Sequence, residues 1–153
     1  NVYKYRKMIN CDTIHFVLGN HDIHIRKNAV VGKHGNSPGI PAQNLFTSVQ
    51  ERIIKKIGKQ SFVMDHYAAR TWDKGHHGAI QLHGHSHNSL PPYEKLLQIA
   101  DDKILYKTGD YFKQMDVGVE ASYELTGEWR PFHIGEIRDI MENRINLGAD
   151  RHE

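Results

Sequence analysis

The sequence predicts an α/β domain. Short runs of β-formers, Ile14 to Leu18, Ser61 to Asp65 and Ala79 to His83, alternate with polar, turn-rich stretches. Near the far end, Ile134, Ile137, Ile140 and Met141 recur at helical spacing. The β-rich runs end in polar turns or histidines, and α/β proteins collect their sites beyond the carboxyl ends of strands.

Taken in order, residues 2–9 suit the end of a helix, and residues 13–18 suit a strand buried on both faces of a sheet. Residues 32–42 are dense in turn formers and read as a mobile surface loop. Leu45 to Ile57 and Ser61 to Asp65 read as two strands joined around Gly58-Lys59-Gln60. Residues 66–78 are irregular and polar, and Ala79 to His83 form another short strand. Residues 93–112 fit a helix or a strand equally. Gln114 to Glu120 read as a strand, and the 134–145 stripe as a helix whose start has His133 where a Ser or Thr cap would help. No internal repeat or linker calls for a second domain.

Composition narrows the class. The 153 residues suffice for one domain with a real core. A formal net charge of +2 lacks the basic excess of a dedicated nucleic-acid binder. No apolar run approaches the ~20 residues that cross a bilayer, so no membrane partner is expected. Cys11 is the only cysteine, which rules out an intrachain disulfide and fits a reducing cytoplasm. Its place just before a strand suggests packing rather than chemistry.

Six of the twelve histidines lie between residues 66 and 87, and the stretch closes with His83-Gly84-His85-Ser86-His87. On an extended backbone alternate side chains face one way, roughly 6–7 Å apart. A strand ending near Gly84 would let the chain bend and aim His85 and His87 at neighbouring points. The same tract also fits a surface loop that binds metal adventitiously, and His83 reads as a strand-end residue rather than a ligand. Upstream, Gly19-Asn20-His21-Asp22 follows the run Ile14 to Leu18. As a bare pattern it is an Asx-type turn. As chemistry, an asparagine carbonyl can ligate a borderline cation, with a histidine beside it as acid or base.

Together these segments resemble the calcineurin-like metallophosphoesterases. That family ends one strand in Gly-Asn-His-Asp/Glu, a later one in a ligand histidine and a third in Gly-His-x-His. In this chain the order is Gly19-Asn20-His21-Asp22, then Met64-Asp65-His66, then Gly84-His85-Ser86-His87. Small bacterial and phage members also carry His-Tyr-Pro-x-Arg-x-Trp, His-His-Gly and Asn/Asp-Val-Gly-Val-Asp segments. This chain has His66-Tyr67-Ala68-Ala69-Arg70-Thr71-Trp72, His76-His77-Gly78 and Asp116-Val117-Gly118-Val119-Glu120. Ala68 departs from the proline and Glu120 from the aspartate.

The resemblance implies a two-sheet β-sandwich flanked by helices, the four-layer metallo-dependent phosphatase-like fold, with the 134–145 helix on an outer face. It implies that Asn20, His66 and His85 bind one divalent metal and His87 a second, drawn from Mn, Fe, Zn or Ni. Metal coordination brings a water's pKa towards ~7, so the implied reaction is phosphomonoester or phosphodiester hydrolysis by a metal-activated hydroxide. His21 would be the general acid, Asp22 would fix its turn, and Arg70 could meet a phosphate. His76 and His77 receive no firm role. The family also opens with Asp-x-His and Gly-Asp motifs, and neither precedes Gly19. Asp22-Ile23-His24 and Gly109-Asp110 imitate them in the wrong place. The expectation is that the natural protein continues upstream, and that residues 1–153 have little activity alone. The alternative is a non-catalytic metal-binding or protein-interaction scaffold of the same fold. Arg52, Lys55, Lys56 and Lys59 could touch a nucleic-acid backbone, or simply solvate a hairpin. Substrate and oligomeric state are not written in these residues.

Overall fold

Alternating apolar side chains and short polar connections build a mixed α/β protein with several small sheets and a few helices. The structure is a computed structural model. It describes residues 2–35, 38–90, 94–99, 102–107, 113–142 and 144, with 94–99 and 102–107 described by backbone pairing alone. The chain divides into two compact units, Asn1–Arg52 and Ile53–Glu153. No helix among the described residues is long and apolar enough to cross a membrane.

In the first unit, helix α1 (Val2–Met8) matches the predicted helical end. Strand β1 (His15–Val17) pairs in parallel with β4 (Ser48–Gln50), His15 standing opposite Ser48. The expectation of a strand buried on both faces is corrected: His15 is exposed, and Phe16 and Val17 are half-buried. Among the described residues β1 has β4 as its one partner strand. The core of this unit joins Leu18, Ile25 and Ala42 to Phe16, Val31, Phe46 and Val49. Helix α2 (Ile23–Arg26) supplies Ile25, and a single turn of 3-10 helix, Ala42–Leu45, supplies Ala42. Within the expected loop 32–42, β3 (Ile40–Pro41) pairs antiparallel with β2 (Val30–Val31). Gly39 makes that pairing possible: its φ is +73°, and a Cβ there would stand 2.6 Å from the Val31 carbonyl oxygen. Cys11 is exposed rather than packed, its thiol 3.2 Å from the Thr13 carbonyl.

The expected strand Leu45 to Ile57 is two strands. It is interrupted at Glu51, whose carboxylate pairs with Arg26. Beyond it, β5 (Arg52–Ile57) and β6 (Gln60–Asp65) form the predicted hairpin, with Gly58 at φ +63° in the first turn position. Glycine is favoured there because primed hairpin turns need a positive φ.

The second unit is centred on a four-stranded sheet in the order β10-β7-β6-β5, where β7 is Ile80–His83 and β10 is Gln114–Asp116. Strand β7 runs parallel to both β6 and β10. Phe62 stands opposite Ile80, Met64 opposite Leu82, and Leu82 opposite Met115. With period-2 alternation these residues share one face. Two helices follow the sheet, α3 (Val119–Thr126) and α4 (Ile134–Glu142), and α4 places Ile137 and Met141 in the same core. The alternate ladder positions, Gln81 between Val63 and Gln114 and His83 opposite Asp116, share the other face.

One expectation needs correction in this unit. The strand read as Gln114 to Glu120 stops at Asp116, and α3 follows, closed by Gly127 at φ +76°. The start of α4 has no Ser or Thr cap, as read from the sequence, and His133 serves in its place. His133 Nδ1 accepts from the Gly135 amide at 3.2 Å, and Glu136 accepts from the His133 amide at 2.7 Å. An imidazole thus takes the place of Ser or Thr in a reciprocal capping arrangement. Arg130 reinforces it by a forked contact with Glu136, whose carboxyl is lowered to about 2 chiefly by that hydrogen bond. The stretch that fitted helix or strand contains β8 (Glu94–Ile99) and β9 (Asp102–Lys107), paired antiparallel. Gly109-Asp110 and the helix end expected at 143–145 fall largely outside the described residues; only Arg144 among them is described.

Candidate functional site

Because β6, β7 and β10 are parallel, their carboxyl ends lie along one edge of the sheet. That edge carries His66, the Gly84–Asn88 turn and the start of α3. Main-chain bonds extend the ladders past the strands: Gly84 N donates to His66 O at 3.2 Å, and Val117 N to His83 O at 2.8 Å. His66 and Gly84 are thereby held side by side.

The bend after Gly84 is sharp, as expected. His85, His87 and Asn88 have φ of +23°, +49° and +56°, the left-handed region that non-glycine residues enter at a cost. One buried carboxylate stabilises this path. Asp116 Oδ2 accepts from Ser86 Oγ at 2.7 Å and from the Asn88 amide at 3.0 Å, and Oδ1 accepts from the Gly118 amide at 2.8 Å. A single side chain, 5% exposed, therefore fastens the histidine turn and the entry to α3 to the same strand end. Sequence reasoning noted Asp116 only as part of a motif and missed this role. Its neighbours in the chain carry no sign of which distant amides it meets.

The turn brings two sequence-predicted ligands together. His66 Nε2 lies 3.0 Å from His85 Nδ1, with the rings edge to face at 4.9 Å between centroids. Tyr67 packs against both, at 4.8 and 4.6 Å. Two imidazole nitrogens at right angles about one ion, each about 2.1 Å from it, would stand about 3.0 Å apart. The observed pair fits that spacing, and it equally fits a hydrogen bond between neutral rings. No group of three His, Cys, Asp or Glu side chains placed to hold a metal occurs among the described residues.

His87 takes a different partner. Its Nδ1 lies 2.8 Å from Glu120 Oε1 in the first turn of α3. The hydrogen bond to Glu120 raises the His87 pKa, and the same bond lowers that of Glu120. Asn88 Nδ2 donates to Glu124, one helical turn further along α3. His83 is a buried strand-end residue, as expected, and Asp116 Oδ2 is 3.9 Å from its Nδ1. That nitrogen has no hydrogen-bond partner among the described residues. Burial lowers the His83 pKa, against the opposing pull of Asp116 and of a backbone hydrogen bond at Gly84.

Asn20 and His21 belong to the first unit, where both are exposed in the turn after β1. Asp22 does what its position suggested: its Oδ2 accepts from the Gly19 amide at 2.7 Å and closes the turn. In the second unit Arg70 is exposed in the segment after β6, and His76 and His77 are exposed on a 3-10 turn with their rings 4.0 Å apart. Lys55 and Lys56 are exposed on β5, the edge strand of the sheet, where charge blunts unwanted strand pairing. Comparison with family models, curated proteins and solved structures returns no match.

Proposed function

We propose that this chain is of the calcineurin-like, divalent-metal-dependent phosphoesterase type, acting on phosphomonoesters or phosphodiesters. The observation that carries the reading is the 3.0 Å approach of His66 Nε2 and His85 Nδ1 at the shared carboxyl edge of parallel strands. In this reading His66 and His85 hold one ion, with the Asn20 carbonyl as a third donor, and His87 holds the second. The ions would lower the pKa of a water to ~7 and neutralise phosphate oxygens. His21, when protonated, donates its proton to the leaving alkoxide oxygen. Asp22 keeps the His21 turn closed, and Arg70 offers two parallel N–H groups to a phosphate. The two-sheet sandwich belongs to the same proposal.

A non-catalytic scaffold is the second reading. It is favoured by the lack, among the described residues, of three metal-capable His, Cys, Asp or Glu side chains in one place. Calorimetric titration with Mn²⁺ and Zn²⁺ separates the two. Binding that disappears in His85→Ala, and weakens as pH falls through ~6.5, supports the metal site. An isotherm unchanged by that substitution favours the scaffold. In an active form, His21→Ala should lower kcat by ~10²–10⁴-fold at unchanged metal content, most for poor leaving groups.

A further inference from the structure

We infer that Glu120 is a positioning residue for His87: it accepts the Nδ1 proton, fixes the ring's tautomer and direction, and leaves Nε2 as the free donor atom. The inference rests on the phosphoesterase reading for the use to which Nε2 is put, but not for the tautomer itself. A neutral imidazole has one N–H and one lone pair, so a carboxylate 2.8 Å from Nδ1 assigns the lone pair to Nε2. Carboxylate partners of this kind orient ligand histidines and raise their basicity.

The contact is built from both sides. Asp116 holds the Asn88 amide, next to His87, and the Gly118 amide that opens α3, so the separation of His87 from Glu120 is set by one strand end. Glu120 and Glu124 are one helical turn apart on α3 and meet successive turn residues, His87 and Asn88. Stability alone does not account for the pair. The His87 side chain is 73% exposed, and exposed ion pairs contribute little. Orientation is what such a geometry supplies.

The test is nitrogen NMR on the full chain with labelled histidine, at a pH where His87 is neutral, its signals assigned with His87→Ala. Wild type should show Nδ1–H, and Glu120→Gln should keep it, since the amide oxygen still accepts. Glu120→Ala should shift His87 towards a mixture of tautomers without changing the melting temperature. In a form that binds both ions, affinity for the Mn²⁺ or Zn²⁺ ion held by His87 should fall ~10–100-fold in the same variant. A dominant Nε2–H form in wild type, or unchanged His87 signals in Glu120→Ala, would overturn the inference. If the tautomer follows Glu120 while His87→Ala leaves binding of the second ion intact, the positioning stands and the phosphoesterase reading of His87 fails.

Discussion

The two faces of the β10-β7-β6-β5 sheet are made from neighbouring residues of the same strands and held in unlike ways. One face sets Phe62, Ile80, Leu82 and Met115 against Ile137 and Met141 of α4. The other carries Gln81, His83, Gln114 and Asp116 beside the buried Val63, and it is covered in part by main chain. Gln81 Nε2 donates to Tyr67 O at 3.0 Å, and Gln114 Nε2 donates to Ala69 O at 2.8 Å and to Gln81 Oε1 at 2.5 Å. The two amides thus stitch the segment after His66 to the sheet. Trp72 adds a bond from its indole N–H to Ala79 O at 2.8 Å. Apolar packing is non-directional and gives stability, whereas hydrogen bonds to named carbonyls fix a path. The polar face is the one whose side chains lead to the histidine edge.

The sharpest way to break this contrast is to damage the apolar face. Phe62 is 1% exposed, and Phe62→Ala should cost about 3–5 kcal/mol by lost transfer energy and the cavity left behind. Urea unfolding should show a lower midpoint at an unchanged slope. A loss under ~1 kcal/mol would mean that α4 and the sheet do not form the stabilising core.

On the polar face the effect should be smaller and more local. Gln81 is fully buried, and Gln81→Leu removes a donor from Tyr67 O and an acceptor from Gln114. Leaving such groups unpaired costs ~1–3 kcal/mol. Hydrogen exchange should quicken in residues 67–72 while amides of α4 keep their protection. A neutral outcome, with exchange unchanged, would show that this face is held by packing as the other is.

The apolar face was legible and the polar one was not. Phe62, Ile80 and the stripe Ile134, Ile137, Met141 announce their elements by period alone. The helical start at Val119 was hidden because Val117-Gly118-Val119 alternates like a strand. What ends β10 is the Asp116 carboxylate taking the Gly118 amide, a tertiary choice without a local signature. The histidine order put His66 and His85 at strand ends, and the structure brings the two rings together. It did not reveal Glu120 as the partner of His87, although the residue was noticed as a departure from aspartate. Strand or helix for residues 93–112 was undecidable because Lys, Leu, Gln and Ile serve both; the pairing of β8 with β9 decides it across strands.

The smallest expected effect concerns His83, where the polar face reaches the site. Burial lowers its pKa, with Asp116 and the backbone at Gly84 opposing. Above the ordinary histidine value of 6.5 the ring is neutral folded or unfolded, so it adds no pH dependence. As pH falls below that value, the unfolded chain takes up a proton that the folded chain resists. Stability from this residue therefore declines, down to the folded pKa. His87 acts with the opposite sign, because Glu120 raises its pKa and its contribution is lost as pH rises. That contribution cancels between two proteins that both keep His87. Measured side by side, wild type and His83→Gln should differ by an amount that shifts against wild type between roughly pH 7 and pH 5.5, the range about the ordinary histidine value. A difference independent of pH would show that His83 is hydrated as freely in the folded protein as in the unfolded chain, and that the polar face is open at its end.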